Sequence, residues 1–180
     1  MKLEIIAKES GQALLELALI AATLCIIVLG IVDFGRAIYD VQVIKNLAGE
    51  GSSMASRGTS PATAASTVVN YAGSDLNMTQ NGCVIVTVVT NQSGTLAITN
   101  QAYDCGIAAT SKIGCLQGVD GCQSSTPTLP SAASAALGSE PNGSSLSVTA
   151  IYYNYSPITS VSLLLGTGFL PSQFYTAAYY

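Results

Sequence analysis

An apolar stretch near the N-terminus constrains the fold of this chain more than any other feature. Between Gln12 and Val32, Glu16 is the only charged side chain. The stretch is about as long as the roughly 20 residues that a helix needs to cross a ~30 Å hydrocarbon core. We therefore predict a transmembrane helix at about residues 13–32 and expect the rest of the chain to be held at a membrane.

Glu16 is the unusual member of this stretch. A carboxylate inside a span costs about 2.5 to 3.5 kcal/mol at the bilayer centre, less near an end, and usually marks a functional site. The residues one helical turn away on either side are uncharged, so the chain offers Glu16 no local cation. If the chain were cut after Gly11, the new amino group on Gln12 would lie in the same membrane layer. That group could pair with Glu16 of a neighbouring subunit.

The overall composition excludes several functions. The 180 residues include 6 Lys and Arg, 10 Asp and Glu and no His, for a net charge of -4. Without a basic patch we expect no nucleic-acid partner. Histidine, the commonest general base and metal ligand, is absent from the sequence. The sequence also contains no phosphate-binding loop and no G-x-S-x-G motif. We therefore expect no enzymatic activity and no cofactor.

Two motifs in the N-terminal third carry a resemblance to a known family. Gly11 followed by Q-A-L-L-E and an apolar span resembles the processing signature of type IV pilin-like proteins, in which a prepilin peptidase cuts directly after the glycine. The block G-I-V-D-F-G-R at residues 30–36, with Asn46, Ala48, Glu50 and Gly51 beyond it, is similar to the TadE-like minor pilins of the tight adherence (Tad/Flp) type IVb pilus apparatus. The resemblance covers residues 8–58. Gly49 departs from it, because relatives tend to carry arginine there.

The resemblance implies a structural subunit of an adhesion or secretion pilus. Residues 1–11 would be a prepilin leader, Gly11 and Gln12 the processing site and Glu16 an assembly residue. Its partners would be the prepilin peptidase, the bacterial inner membrane and other pilin or minor-pilin subunits, contacted through the N-terminal helix. The N-terminus would be cytoplasmic and the C-terminal domain periplasmic or at the cell surface, with incorporation into a pilus. The alternative is a signal-anchored envelope protein with an outer binding domain that enters no filament.

The helix is expected to continue beyond the membrane, as a long element over residues 12–57. Asp33 and Arg36 are three positions apart and could form an ion pair where the helix leaves the bilayer. An apolar face with helical spacing follows, formed by Phe34, Ala37, Ile38, Val41, Ile44 or Lys45, and Ala48. Arg57 and Gly58 indicate the end of the helix.

Residues 58–180 are predicted to form an extracytoplasmic α+β domain. Ser60 and Pro61 favour the start of a short helix with a face of Ala62, Ala65, Val69 and Ala72, ending near Gly73. Two β-branched segments from residue 83 flank a turn at residues 91–94 and predict a hairpin. Further strands are expected at residues 146–155 and 173–180, with a helical turn at 131–137, and the apolar residues 161–170 should cover the outer half of the long helix. The predicted fold is pilin-like: a long N-terminal transmembrane helix packed on a small antiparallel β-sheet domain with a short second helix.

Four of the five cysteines lie outside the span and predict disulfides. The hairpin sets Cys83 opposite about Ala102 and therefore near Cys105, which favours that pairing and leaves Cys115 with Cys122. Sequence alone does not choose among the three connectivities. A zinc site is disfavoured because there is no C-x-x-C and no histidine. Calcium held by Asp104 and Asp120 is less expected than two solvated loop acids.

Overall fold

The structure, a computed structural model, describes residues 2–72, 76–115, 122, 126–159 and 170–180, with the backbone alone for residues 2–10. The described residues form, in chain order, α1 (Lys2–Ser56), α2 (Pro61–Tyr71), α3 (Met78–Asn81), β1 (Gly82–Gln92), β2 (Thr95–Cys105), α4 (Ser131–Ser139), β3 (Ser145–Asn154) and β4 (Gln173–Tyr179). The chain divides into two compact units. One comprises Met1–Ile38 with Ser156–Pro171, and the other comprises Tyr39–Tyr155 with Ser172–Tyr180. The predicted α+β class is confirmed.

The apolar part of α1 exposes its side chains on every side. Large exposed residues follow one another through the first unit at positions that cover the whole circumference of the helix, among them Leu14, Leu15, Leu17, Leu19, Ile20, Leu24, Ile27 and Ile31. A helix that is apolar all round belongs in a core or a membrane. In the described part of the chain, Gly11–Ser56 is the one helix long and apolar enough to cross a bilayer. It fits a single-pass membrane anchor.

In the second unit, α1 buries one face. Its buried residues are Asp40, Ile44, Leu47, Ala48, Gly51, Ser52, Ser53 and Ala55. Most are three or four positions apart, as the 3.6-residue period of a helix requires. The helix ends at Ser56, and Gly58 follows with φ 94° in the left-handed region, so the predicted end at Arg57 and Gly58 is confirmed.

The predicted apolar face of α1 was partly wrong. Ala37, Ile44 and Ala48 are buried as expected, but Phe34 is 52% exposed and Ile38 is 44% exposed. The buried positions instead include two acids, Asp33 and Asp40. An apolar pattern cannot identify these acids as buried, because carboxylates are buried only where other groups satisfy them.

The described strands form a sheet in the order β2-β1-β3-β4, and every neighbouring pair is antiparallel. On one face, Thr149 of β3 lies against Gly51 of α1, and Val68 of α2 packs beside them. On the other face, Ile85 and Ala150 belong to a second buried cluster, together with further residues of β1 and β3. The sheet is therefore covered on both faces, by α1 and α2 on one and by α4 and the residues around 107–113 on the other.

The hairpin has a different register from the predicted one. Cys83 lies opposite Cys105, whereas Ala102 pairs with Val86. The turn is centred on Ser93 and Gly94, which both have positive φ, one residue later than expected. The register also shifts between Val88 and Val89, because β2 carries one extra residue at this point. The later turn and the extra residue together explain why Cys83 lies opposite Cys105 and not opposite Ala102.

The other predicted elements are largely confirmed. Ser60 caps α2 and its side chain accepts a hydrogen bond from the N–H of Thr63 at 3.2 Å. The buried face of α2 contains Ala65, Val69 and the capping Ala72, but Ala62 is exposed and Ala64 and Val68 are buried instead. Both C-terminal strands and the helix after residue 130 form where expected, while α3 was not predicted. The apolar segment 161–170, expected to cover α1, lies almost wholly outside the described residues.

Gly51 and Gly49 of α1 offer a matched pair of substitutions. A Cβ at Gly51 would lie 2.9 Å from Thr149 Cγ2 and 3.0 Å from Val68 Cγ2, both on stiff β-branched side chains, whereas a Cβ at Gly49 would meet nothing within 4 Å. We expect Gly51→Ala to lower the free energy of unfolding by about 1 to 2 kcal/mol through overpacking. Gly49→Ala should raise it by up to about 1 kcal/mol, because alanine favours the helix. Equilibrium denaturation of the full chain checks both values, and equal effects would contradict this packing.

Candidate assembly and membrane-exit site

The residues around the predicted cut site are exposed on an unbroken helix. Gly11, Gln12 and Glu16 all lie on the surface of α1. A Cβ added to Gly11 would meet nothing within 4 Å in the described structure. Glycine within a helix costs roughly 0.5 to 1 kcal/mol relative to alanine. Packing among the described residues therefore does not explain the glycine at position 11.

Glu16 has no described partner within its own chain. None of the described side chains forms a hydrogen bond or an ion pair with its carboxylate, which is exposed on α1. Thr23, also within the apolar part, has its hydroxyl satisfied by the carbonyl oxygen of Leu19 at 2.9 Å. Unlike the Thr23 hydroxyl, the Glu16 carboxylate therefore has no hydrogen-bond partner among the described residues.

Asp33 has more hydrogen bonds than Glu16, the other acid of the first unit whose side chain the structure describes. It is 3% exposed, although it lies directly after the predicted span. Its Oδ1 accepts hydrogen bonds from the backbone N–H of Ile158 at 3.1 Å and of Thr159 at 3.2 Å, and Oδ2 accepts one from the Thr159 hydroxyl. Hydrogen bonds to a charged group contribute about 1.5 to 3 kcal/mol each. We call this arrangement the Asp33 clasp.

The predicted pairing of Asp33 with Arg36 stays a prediction. Arg36 is half-buried on the same helix and has interactions of its own. The partners found for Asp33 lie 125 and 126 positions later in the chain. A local spacing rule could not find them, because no periodic pattern links a helical acid to a distant loop. The only signal was the acid itself, at the end of an apolar span.

Both predicted disulfides are present, Cys83 with Cys105 and Cys115 with Cys122. The first joins directly opposed residues of β1 and β2. These four sulfurs are therefore unavailable as zinc ligands, and no group of three or more acids or cysteines suited to a metal ion occurs among the described residues. For the calcium alternative, Asp120 lies outside the described part. Cys25 is free and exposed on α1.

The C-terminal tyrosines serve packing in the sheet. The rings of Tyr152 and Tyr175 lie 4.9 Å apart, and Lys112 Nζ lies 3.8 Å from the centre of the Tyr175 ring. The Tyr152 hydroxyl donates to the carbonyl oxygen of Thr110 at 2.7 Å. Burial, followed by the charges of Tyr152 and Tyr179, raises the pKa of Tyr175 to about 12. These rings hold residues 110–112 against the sheet.

A groove in the second unit lies between α1 and α2. It has a volume of about 360 Å³ and is lined by Leu47, Glu50, Met54, Val68 and Tyr71. Among the described residues that line the groove, Glu50 and the Tyr71 phenol are the ionisable groups. A single carboxylate without a second acid, base or nucleophile gives no catalytic constellation.

Comparison with known proteins bears on the N-terminal part of the chain. A family model described as TadE-like protein matches residues 11–53. No curated protein and no solved structure matches the chain. The matched segment begins at Gly11, contains Glu16 and Asp33, and extends to the turns of α1 that bury a face in the second unit. The chain is therefore similar to TadE-like proteins over residues 11–53.

Proposed function

We propose that this protein is a minor pilin-like structural subunit of a Tad/Flp-type pilus, inserted in the bacterial inner membrane and processed by a prepilin peptidase after Gly11. The proposal rests chiefly on the residue at which the family match begins. The match starts at Gly11, the residue of the proposed cut, and includes the exposed apolar helix. The role is one of assembly, with no catalytic step.

The local chemistry of Gly11 supports processing at this position. A peptidase must bring its catalytic groups close to the backbone, and the absence of a side chain leaves that approach open. No packing contact of the described structure requires a glycine here. A functional requirement is then the simplest physical reason for its presence.

The exposed carboxylate of Glu16 supports assembly through α1. After cleavage, the amino group of Gln12 carries a positive charge within about one helical turn of the level of Glu16. Opposite charges in a medium of low dielectric attract strongly, whereas an unpaired charge there is costly. The lowest-energy arrangement pairs the amino terminus of one subunit with Glu16 of its neighbour.

The two disulfides support an extracytoplasmic location of the sheet domain. Disulfides persist in oxidising compartments such as the periplasm and the cell surface. Together with a single apolar helix at the N-terminal side of these cysteines, they favour an N-terminus in the cytoplasm. The inner membrane is then the membrane that α1 crosses.

The processing step is tested by the mass of the protein isolated from cells with an active prepilin peptidase. We expect a mature chain of 180 - 11 = 169 residues beginning with Gln12. Gly11→Phe should abolish the cut, because its ring would occupy the space through which the peptidase approaches. Intact-protein mass spectrometry distinguishes the two forms.

Gly35→Phe is the matched control for this experiment. Gly35 lies on the same helix, and a Cβ there also meets nothing within 4 Å. Its variant should be cut as efficiently as the unsubstituted chain. Retention of Met1 in the unsubstituted protein would refute the processing proposal and favour the signal-anchored envelope protein instead.

A further inference from the structure

We propose that residues 156–159 form a second membrane-contact site, in which the Asp33 clasp holds Ile158 in the headgroup region of the bilayer beside α1. The proposal rests on the membrane insertion of α1 contained in the proposed function. It assigns a lipid-binding task to a segment outside the matched family region, which ends at residue 53.

The level of the clasp along the helix follows from simple geometry. Residues 13–32 rise about 30 Å at 1.5 Å per residue, which is the thickness of the hydrocarbon core. Asp33 is the next residue. Because the N–H of Ile158 lies 3.1 Å from Asp33 Oδ1, residue 158 is fixed at the boundary between hydrocarbon and headgroups.

The surface at this level is apolar. Ile158 is 64% exposed, and two large side chains of α1 near Asp33 are exposed as well, Ile31 by 65% and Phe34 by 52%. Ile31 and Phe34 are three positions apart and lie on one side of the helix. Water would solvate these side chains poorly, whereas the headgroup and acyl boundary accommodates them.

The Asp33 clasp lowers the free-energy cost of placing residues 156–159 against lipid. Three donors satisfy the carboxylate of Asp33, and its burial keeps it from the surroundings. The same bonds satisfy the backbone N–H groups of Ile158 and Thr159, which would otherwise be costly to withdraw from water. Residues 156–159 carry no charge. The segment therefore presents the apolar side chain of Ile158, with the backbone N–H groups of Ile158 and Thr159 already paired.

Lipid is the occupant that the observations favour. The exposed side chains of Ile31 and Phe34, close to Asp33 along α1, continue the exposed apolar surface of the predicted span, and no charged residue lies between Glu16 and Asp33. The surface that meets lipid along α1 thus extends directly to the clasp. A neighbouring subunit on the same surface is the competing occupant, and the experiment distinguishes the two.

Depth-dependent quenching in nanodiscs tests this assignment. The full chain with Cys25→Ser receives one new cysteine, Ile158→Cys, which is labelled with an environment-sensitive fluorophore while the four disulfide cysteines stay oxidised. The nanodiscs contain phosphatidylethanolamine and phosphatidylglycerol, with nitroxide lipids labelled either at the headgroup or deep in the acyl chain. We expect headgroup nitroxide to quench the label at least about twofold more than deep nitroxide, as for a side chain at the interface.

Labels on α1 calibrate the measurement. Phe34→Cys should show the same preference for headgroup nitroxide, and Leu24→Cys, in the middle of the span, should show the opposite one. If the label at 158 is unquenched while that at 24 is quenched by deep nitroxide, the second contact is refuted and membrane insertion stands. If the label at 24 is also unquenched, insertion of α1 itself is wrong.

Two variants test whether the Asp33 clasp holds position 158 at the interface, as opposed to a general effect of removing an acid from α1. Asp33→Ala should reduce quenching at position 158 at least about twofold, because the loop is no longer fixed at the interface. Glu50→Ala, which removes an exposed acid of the same helix, should leave it unchanged. Undiminished quenching in Asp33→Ala would overturn the assignment to the clasp. A blue-shifted label without quenching by any lipid would indicate a protein neighbour and overturn the assignment to lipid.

Discussion

A Glu16→Ala subunit is expected to be cut after Gly11 normally but to be missing from the pilus. The proposed cleavage depends on Gly11 and on access of the peptidase to it, and Glu16→Ala leaves both unchanged. Incorporation would leave the amino group of a neighbouring subunit without its counter-charge in a medium of low dielectric. At about 2.5 to 3.5 kcal/mol for an unpaired charge, incorporation should fall on the order of a hundredfold.

The measurement compares sheared pili with the membrane fraction by immunoblotting, with intact mass as the record of cleavage. Leu17→Ala is the control, since it truncates an adjacent exposed side chain of the same helix without changing charge. It should be incorporated almost as the unsubstituted protein is. Normal incorporation of Glu16→Ala would eliminate charge pairing as the basis of assembly.

Among the glycines of the sheet domain whose surroundings the structure describes, Gly106 should tolerate an added methyl group least. An added Cβ would overlap the carbonyl oxygen of Thr79 and lie 2.5 Å from its carbonyl carbon and 2.9 Å from Cα of Gln80. These are backbone atoms, so a side-chain rotation cannot relieve the overlap. The N–H of Gly106 also donates to the carbonyl oxygen of Gly82 at 2.9 Å, which fixes its position. We expect a loss of about 3 kcal/mol in the free energy of unfolding.

Denaturant titration followed by tyrosine fluorescence measures this loss, since the chain has 9 Tyr and no Trp. Gly138→Ala in α4 is the control, because a Cβ there meets nothing within 4 Å. That variant should be unchanged or more stable by up to about 1 kcal/mol. A Gly106→Ala protein as stable as Gly138→Ala would show that α3 does not pack against the end of β2.

Much of the fold could be predicted because its determinants are local. Ser60 and Pro61 start α2 through a cap and a preset φ, and the β-branched runs around the Ser93 turn form the hairpin. The predicted hairpin favoured the Cys83–Cys105 pairing without choosing among the three connectivities. It did so even though the predicted register was three positions out, because both cysteines lie near the same open end.

The features missed from sequence depend on distant parts of the chain. Asp33 gains its partners from residues 158 and 159, and Gly51 is glycine because Thr149 and Val68 approach it. No local pattern contains these contacts. The extra residue in β2 was missed for another reason, since a bulge interrupts the alternation from which strands are recognised. In the candidate site, Gly11 and Glu16 stay predictions, which rest on the departure of each residue from what a plain apolar helix requires and on the resemblance to type IV pilin-like proteins.

The extra residue in β2 also bears on aggregation between copies of this chain. Within the described sheet, β2 is an edge strand, and an edge strand with a regular ladder is a template for pairing with another molecule. At the extra residue, Thr99, the side-chain hydroxyl donates to the carbonyl oxygen of Val88 at 3.3 Å and lies 2.9 Å from the hydroxyl of Thr90. The extra residue bends β2 and interrupts the regular spacing of the backbone N–H and C=O groups along its outer edge. The irregular edge would discourage aggregation through the sheets when many subunits are concentrated at one place in a membrane.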